Sequence, residues 1–309
     1  MKTICTGPPL NQAPMAEDRA RSRCAAATRK RQRHLHTHLQ LKLTPRELIV
    51  MKRLSVSAIA ALTFPMLPFE AAFAEQSSLS LGLGAAINES PYAGAGTQVN
   101  PLPLIKYDSD SFFLHGITGG YHLVDTGVFS LDAIVSLNMD GIDRDDFGRR
   151  ELARNGIDRD LLEDRDNGFD AGLAASLRGS GGQLELVAKS DISGTSDGYS
   201  MNLEYAYPIR WGETRFKPHI GATHMSANLV DYYFGTLSKE QERGITRYRP
   251  GSANVSYIGL GFSQPIGKQW EVSGNIRYTS LPDELADSPL VEDGTNSSTS
   301  MFIGISRKF

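Results

Sequence analysis

Apolar side chains recur at every second position along most of the chain after residue 78. Leu79, Leu81 and Leu83, for instance, alternate with serine and glycine, and similar rows continue to the C-terminus. A period of two is typical of a β-strand whose two faces meet different surroundings. The pattern predicts eleven strands: Leu79–Ile87, Leu102–Tyr107, Phe112–Leu123, Val128–Met139, Gly168–Arg178, Gln183–Ile192, Tyr199–Tyr207, Arg215–Ser226, Val255–Pro265, Trp270–Ser280 and Thr299–Phe309.

The connections between these strands differ strongly in length. Short turns are predicted at Val124–Gly127, Gly179–Gly182, Pro208–Thr214 and Gln264–Gln269, and long polar stretches at Asp140–Asn167, Ala227–Ala253 and Leu281–Ser298. Short turns at one rim and long loops at the other are the arrangement of an outer-membrane β-barrel, whose tilted strands need about 9–11 residues to cross the membrane. Alternation alone would also fit a soluble β-sandwich. Aromatic residues near strand ends, such as Tyr205, Tyr207 and Trp211, favour the barrel.

The predicted fold is therefore all-β: an antiparallel transmembrane β-barrel of the outer-membrane type, with 10 or 12 strands and long extracellular loops. Eleven strands cannot be the final count, because bacterial single-chain barrels have an even number. We expect the change in the first third of the barrel. Pro101 and Pro103 interrupt a strand there, and Gly116, Gly119 and Gly120 permit a bend.

An export signal lies inside the chain. Met51 is followed by two basic residues, by the apolar run Leu54–Leu67 and then by Ala72-Phe-Ala74, which together match a cleaved secretory signal peptide. We therefore expect residues 1–50 not to be translated, residues 51–74 to be the signal peptide, and residues 75–309 to form the barrel. A basic stretch before Met51 resembles a nucleic-acid-binding patch, but an export signal directly behind it contradicts that function.

Removal of the leader changes the chemistry that is available. Residues 1–74 hold 12 of the 32 basic and 4 of the 35 acidic residues, so the remainder carries a net charge of −11. Both cysteines, Cys5 and Cys24, are also in the leader. The exported protein therefore has no disulfide, cysteine ligand or cysteine nucleophile. Its acidity argues against nucleic acid as a partner.

Three motifs resemble those of a known family. Pro101–Tyr107 with Phe112–Gly116 looks like its front signature, Val230–Gly235 with Tyr248–Gly251 looks like its most recognisable loop, and Ser288–Val291 precedes a last strand that ends at Phe309. On these residues the chain is similar to the MipA/OmpV family of MltA-interacting outer-membrane proteins.

The resemblance implies an outer-membrane barrel without known catalysis. Members of that family are described as a scaffold linking a murein lytic transglycosylase to a murein synthase, or as adhesion and stress-response proteins. We therefore expect a non-enzymatic scaffold or interaction protein of the cell envelope. A small-solute channel is the alternative, and a soluble periplasmic binding module comes third. Lipid, lipopolysaccharide and the barrel-assembly machinery complete the expected partners of a monomer.

Candidate interaction residues lie in two places. Trp211 is in the longest of the predicted short turns, where it serves either as a partner anchor or as an interfacial residue. Asp231, Tyr232, Tyr233 and Phe234 form an acidic and aromatic group that is either a partner-binding patch, an interfacial girdle or a loop folded into the barrel mouth. We expect the terminal Phe309 to act as an assembly signal.

Other chemistry is poorly supported by the sequence. The acidic stretch Asp140–Asp166 suggests a divalent-cation site, but an EF-hand loop requires Glu at the position that Arg154 occupies, so a solvated loop with a short helix near Arg149–Arg154 is favoured. Asp231 is the one carboxylate near His224, and two groups do not make a catalytic triad. No catalytic, metal or cofactor residue is therefore predicted.

Overall fold

The polypeptide forms a closed, antiparallel β-barrel. The structure is a computed structural model that describes residues 77–309, so the predicted leader, with its cleavage residues Ala72 and Ala74, lies outside the described residues. The strands are β1 (Ser78–Glu89), β2 (Thr97–Asp108), β3 (Phe112–His115), β4 (Thr118–Asp125), β5 (Phe129–Asn138), β6 (Gly168–Gly179), β7 (Gly182–Asp191), β8 (Tyr199–Ala206), β9 (Ile209–Trp211), β10 (Thr214–Met225), β11 (Ala253–Ile266), β12 (Trp270–Ser280) and β13 (Ser297–Lys308).

Twelve of these strands make up the wall. Each strand pairs with its neighbours in the sequence, and the ring closes where β13 pairs with β1. Strand β9 is a short extension that pairs only with the beginning of β10, while β8 pairs with the rest of β10. The fold class is thus confirmed, with the larger of the two predicted strand numbers.

The strand count of eleven was wrong in the region where we expected a change, and the additional strand arises at Gly116, one of the glycines that permit a bend. The predicted strand Phe112–Leu123 is two strands, β3 and β4, joined by a tight turn at Gly116 and Ile117. Gly116 has φ of +60°, a left-handed conformation that glycine adopts without steric cost. Pro101 and Pro103 do not interrupt a strand; both lie inside β2.

The outer face of the wall is apolar and the inner face is polar. Leu83 is 72% exposed and Ile303 is 50% exposed, whereas the intervening positions of β1 and β13 carry glycine and serine. A soluble protein would bury such rows, and a membrane barrel turns them towards lipid. No helix within residues 77–309 is long and apolar enough to cross a membrane.

Charged side chains inside the barrel are paired with one another. Nδ1 of His122 lies 2.7 Å from Oδ1 of Asp132, and Nζ of Lys189 lies 3.0 Å from Oδ2 of Asp170. Glu204 lies within salt-bridge distance of both Lys217 and Arg277. Asp132, Asp170 and Glu204 therefore each have a basic neighbour in the lumen.

The long connections fold together into a cap over one mouth of the barrel. They contain four helices, α1 (Arg149–Arg154), α2 (Ala227–Phe234), α3 (Ser238–Glu242) and α4 (Asp283–Ala286), and two short 3-10 turns at Arg144–Asp146 and Arg159–Leu161. The cap has its own core, built by residues from four connections: Tyr92, Ala93, Ile142, Phe147, Leu152, Ile157, Leu162, Ile245 and Leu290. Its loops are therefore a packed layer.

Candidate functional site

The acidic and aromatic group Asp231–Phe234 lies in α2 and joins the cap together. The helix starts at Ser226, whose Oγ accepts a hydrogen bond from the backbone N–H of Leu229 at 3.4 Å. Tyr233 is 1% exposed, and its hydroxyl donates to the carbonyl of Asp166 at 3.2 Å. Tyr232 accepts from the N–H of Asp166 at 2.9 Å. Two neighbouring tyrosines thus hold the end of the Asp140–Asn167 loop.

Tyr92, in the first connection, packs on the same helix. Its ring stacks on Phe234 with the centroids 5.4 Å apart, and its hydroxyl donates to the carbonyl of Tyr233 at 3.2 Å. Ser288, from the last long connection, donates to the carbonyl of Phe234 at 2.6 Å. Three connections that are distant in sequence therefore converge on α2.

A buried ion pair ties α3 to the Asp140–Asn167 loop. The guanidinium of Arg165 donates to Oε1 and Oε2 of Glu240 at 2.7 and 3.0 Å, and the two side chains are 1% and 0% exposed. Glu240 also accepts from the backbone N–H groups of Glu163 and Leu237, at 2.9 and 2.7 Å. Arg165 donates further to the carbonyls of Glu163 and Gly235. The Glu240 carboxylate and both terminal nitrogens of Arg165 thus have partners, while Nε of Arg165 is buried without one.

Burial shifts the acid–base behaviour of the cap. It raises the pKa of Tyr92 and of Tyr233 far above the ordinary tyrosine value, so both hydroxyls remain protonated donors. Desolvation also raises the pKa of Asp140, and this effect is larger than the lowering effect of the nearby Lys189. At Asp231 burial raises the carboxyl pKa in spite of the nearby Arg249. In each case desolvation makes the neutral form more favourable than it is in water.

The predicted interaction residues are thus separated. Of the three settings considered for Asp231–Phe234, the structure places these residues in a loop folded into the barrel mouth, where Tyr233 is inaccessible to a partner. Trp211 lies at the opposite, short-turn rim, at the end of β9, and is 78% exposed. Phe309 follows β13, is 63% exposed and donates its N–H to the carbonyl of Leu79 at 2.8 Å.

The alternative chemistry receives no geometric support. The short helix expected near Arg149–Arg154 is α1, and no group of three or more potential metal-binding side chains occurs among residues 77–309. His224 bonds to Asn254 and Asp231 lies beside Arg249, so the structure does not bring the proposed histidine–carboxylate pair together.

Sequence reasoning did not identify Tyr92, Arg165 or Glu240 as members of the cap. Glu240 occupies the third position of α3, where glutamate is typical of a capping box, so the sequence does carry a signal for its local contact. Its pairing with Arg165, 75 positions away, has no local sequence pattern.

Comparisons with known proteins agree with the fold. Residues 81–309 match the family described as MltA-interacting protein MipA. YiaT of Escherichia coli O157:H7, whose name describes an outer membrane protein, is 32% identical over 79% of this chain and 95% of its own length. The MltA-interacting protein of Escherichia coli K12 is 30% identical over 70% of this chain and 85% of its own length.

Solved structures resemble the chain more distantly. The COG4313 outer membrane channel from Pseudomonas putida F1 covers 77% of this chain and 97% of its own, with 11% identity and a TM-score of 0.39. An anion-selective porin from Comamonas acidovorans covers 76% and 99%, with 9% identity and a TM-score of 0.31.

Proposed function

Because the chain belongs to the MipA family of MltA-interacting proteins, we propose that it is a non-enzymatic interaction protein that binds a murein-processing enzyme at its periplasmic rim. It is an outer-membrane β-barrel, and the name of its relative YiaT also describes an outer membrane protein. The proposed partners are a murein lytic transglycosylase and, with it, a murein synthase. The observation that carries the proposal is the hairpin of β9 and β10 with Trp211 at its tip.

This hairpin extends past its neighbour β7. Strands β7 and β8 pair down to Gln183 and Ala206, and β7 then turns back into β6. Strand β9 continues beyond that point and pairs on one side only, with Thr214–Phe216. Its other edge has no strand partner within residues 77–309. An exposed strand edge is a common docking site, because a partner strand can complete the hydrogen-bonding ladder.

The hairpin also presents an apolar surface beside that edge. Trp211 lies 6.4 Å from Phe216, measured between ring centroids, and Ile209 is 46% exposed. Tryptophan is strongly enriched among residues that dominate protein–protein binding. The same ring would suit the membrane interface. The free edge and the projection of β9 favour partner binding, since a residue that only anchors the barrel needs neither.

Trp270 provides a matched control for Trp211. It is the other tryptophan of the chain, it lies at the same rim, and it is 44% exposed. Its strand is paired on both sides, with Ile266 and with Arg307. A purely interfacial role would make the two tryptophans equivalent, whereas docking at the free edge would involve Trp211 alone.

The experiment is a pull-down of envelope proteins with the wild type, Trp211→Ala and Trp270→Ala. A murein hydrolase or synthase should co-purify with the wild type and with Trp270→Ala, and recovery with Trp211→Ala should fall about 30-fold, as expected for loss of roughly 2 kcal/mol. Equal recovery with all three would refute docking at this rim. If surface ligands bind the Asp140–Asn167 or Ala227–Ala253 loops and no murein enzyme is recovered, adhesion replaces the scaffold function.

A second variant tests the strand edge itself. A two-residue turn follows Trp211, so Trp211 and Thr214 are the hydrogen-bonded pair that closes the hairpin. Backbone groups alternate in direction along a strand, so the preceding residue, Arg210, directs its N–H towards the free edge. Arg210→Pro removes that N–H and leaves the bonds to β10 intact. Recovery of the murein enzyme should fall with this variant also, while Arg210→Lys should behave as the wild type.

A further inference from the structure

The barrel wall is incomplete on one side of β2. On its other side β2 pairs with β1 along its whole length, from Thr97 to Asp108. Towards β3, however, the pairs run only from Lys106 to Asp108, followed by one further bond from the N–H of Gly116 to the carbonyl of Ile105. No strand of the described chain pairs with this edge of β2 above Ile105. By contrast, β5 and β6 pair continuously from Phe129 to Asn138.

The free edge is adapted to remain unpaired. In an antiparallel sheet, alternate residues direct their backbone groups to alternate sides, so Val99, Pro101 and Pro103 face the same side as Ile105. That side is the one without a partner strand. Because proline has no N–H, the two prolines leave Val99 as the only one of these three that has a donor. Prolines at this edge also block pairing with another strand.

The gap is a window with four sides. The free edge of β2 is the first side, and the turn of the β3–β4 hairpin is the lower one. That turn reaches across to β5, where the carbonyl of Ile117 accepts the N–H of Leu137 at 3.1 Å. The upper side is closed by a contact within the cap, where the N–H of Gly148 donates to the carbonyl of Ala93 at 2.8 Å. The end of β5 with Met139 is the fourth side.

This window lies at the level of the lipid-facing band. The β2 residues beside the window are paired, on the opposite edge of β2, with outward-facing apolar residues of β1: Val99 with Ile87, Pro101 with Ala85 and Pro103 with Leu83. Val99 is 63% exposed and Met139 is 56% exposed, so the two sides of the window are apolar as well. From Val99 to Pro103 the edge covers roughly 13 Å at about 3.3 Å per residue.

A cavity of about 450 Å³ lies beneath the cap, and its lining includes Gln98 and Met139, one residue from each side of the window. The cavity is amphipathic. Apolar surface comes from residues such as Phe234, Leu281 and Leu285, and polar groups come from Asn88, Gln98 and Asp140. Its volume is within the usual range for small-molecule sites, about 300–1,000 Å³.

We infer that the window admits a single-chain amphipathic molecule, such as a fatty acid, from the membrane into the cavity beneath the cap. The membrane supplies the occupant because the window opens at the apolar band, while the packed cap covers the extracellular mouth. The apolar body of the molecule would contact Phe234, Leu281 and Leu285. Its polar end would meet Gln98, Asn88 and Asp140.

Site-directed fluorescence quenching tests this inference in the full barrel reconstituted in lipid. On a background without Cys5 and Cys24, a bimane label is attached to Gln98→Cys, which faces the lumen beside the window. A nitroxide-labelled fatty acid is then added as the quencher. We expect saturable quenching at Gln98→Cys, reaching at least half the extent measured for the lipid-facing Val99→Cys.

Ser273→Cys is the matched lumen control. Ser273 lies on β12, which is paired with β11 and β13, and it lines the periplasmic half of the lumen. Quenching there should be less than a tenth of that at Gln98→Cys. Equal quenching at the two positions would mean that the fatty acid enters through the periplasmic mouth. Quenching at Gln98→Cys that rises linearly without saturation would show collision without binding. Either result would overturn the inference.

A closed-window variant makes the test independent of the label. Pro101→Val and Pro103→Val restore the two missing donors, and a β3–β4 hairpin lengthened by four residues can then pair with the free edge of β2. Heat-modifiable migration in gels would verify that this variant folds. We expect it to lose the saturable quenching at Gln98→Cys and to keep the quenching at Val99→Cys. Retention of both would refute entry through the window.

Discussion

The buried pair of Arg165 and Glu240 should control whether the cap stays closed. The change to make is Glu240→Ala, which leaves the guanidinium of Arg165 with no charged partner while it remains 1% exposed. It also removes the acceptor from two backbone N–H groups, those of Glu163 and Leu237. A buried charge without its partner is among the most destabilising defects a protein can contain.

The structure allows the size of the effect to be estimated. Removing one partner of a buried, hydrogen-bonded ion pair costs about 3–5 kcal/mol. Since about 1.4 kcal/mol corresponds to a factor of ten, the population of the open cap should rise roughly 100- to 4,000-fold. The double variant Arg165→Met, Glu240→Leu should be much closer to the wild type, because replacing both charges by apolar groups also removes the cost of their desolvation.

Native-state hydrogen exchange measures this opening without unfolding the barrel. The amides of Ala93, Gly148 and Ile245, which donate to backbone carbonyls within the cap, report on its opening. Amides of the paired strands β5 and β6 report on the wall. Glu240→Ala should increase exchange in the cap and leave the wall amides unchanged. Heat-modifiable migration in gels would confirm that the barrel itself is intact.

A second ion pair in the same cap serves as the control. Arg149 and Asp160 make the same two-pronged contact, at 2.8 and 2.7 Å, but their side chains are 56% and 60% exposed. Because water solvates both charges, Asp160→Ala should leave the exchange of the cap amides unchanged. If Asp160→Ala increases exchange in the cap as much as Glu240→Ala does, burial does not determine the effect. The same holds if exchange in the double variant is as fast as in Glu240→Ala.

Three further predictions concern pH, assembly and conductance. Burial raises the pKa of Asp140 above its unfolded value of about 3.9. The contribution of Asp140 to stability is therefore full below that pH and is lost as the pH rises through the folded pKa. Asp140→Asn should raise the thermal midpoint at pH 7, and this gain should disappear near pH 4. Deletion of Phe309 should reduce the amount of folded barrel recovered from outer membranes, whereas Phe309→Tyr, which keeps an aromatic terminus, should not. In planar bilayers the wild type should show small or no steady conductance because the cap covers one mouth, and large, reproducible steps would contradict a closed cap.

The wall of the barrel was predictable from the sequence because it depends on local alternation. Every second residue of a strand faces lipid, so rows such as those in β1 and β13 are visible without any knowledge of their partners. The exception was the β3–β4 turn. Phe112 to Leu123 has apolar residues on both sides of Gly116, and only the positive φ of that glycine reveals the reversal.

The cap was not predictable in the same way. Its contacts join Tyr92 to Phe234 and Arg165 to Glu240, pairs that are separated by long stretches of sequence. No periodic sequence pattern specifies such contacts, because each one joins a single residue to a single partner on a different loop. The sequence of Asp231–Phe234 indicated an unusual aromatic group but not which face would be buried. The position of Trp211 was easier to predict, because the short turns of such a barrel all lie at one rim.

Pro101 and Pro103 connect the wrongly predicted strand interruption to the inferred window. A proline inside a strand indicates an interruption when both edges of that strand are assumed to be paired. In β2 one edge is free, so the prolines are compatible with a complete strand and also keep the gap beside it open. A capped barrel with such a gap exchanges molecules with the membrane more readily than with the water outside the cell. The low conductance expected in bilayers and the quenching expected at Gln98→Cys are therefore two consequences of one architecture, and an uncapped, conducting barrel would remove the basis for both.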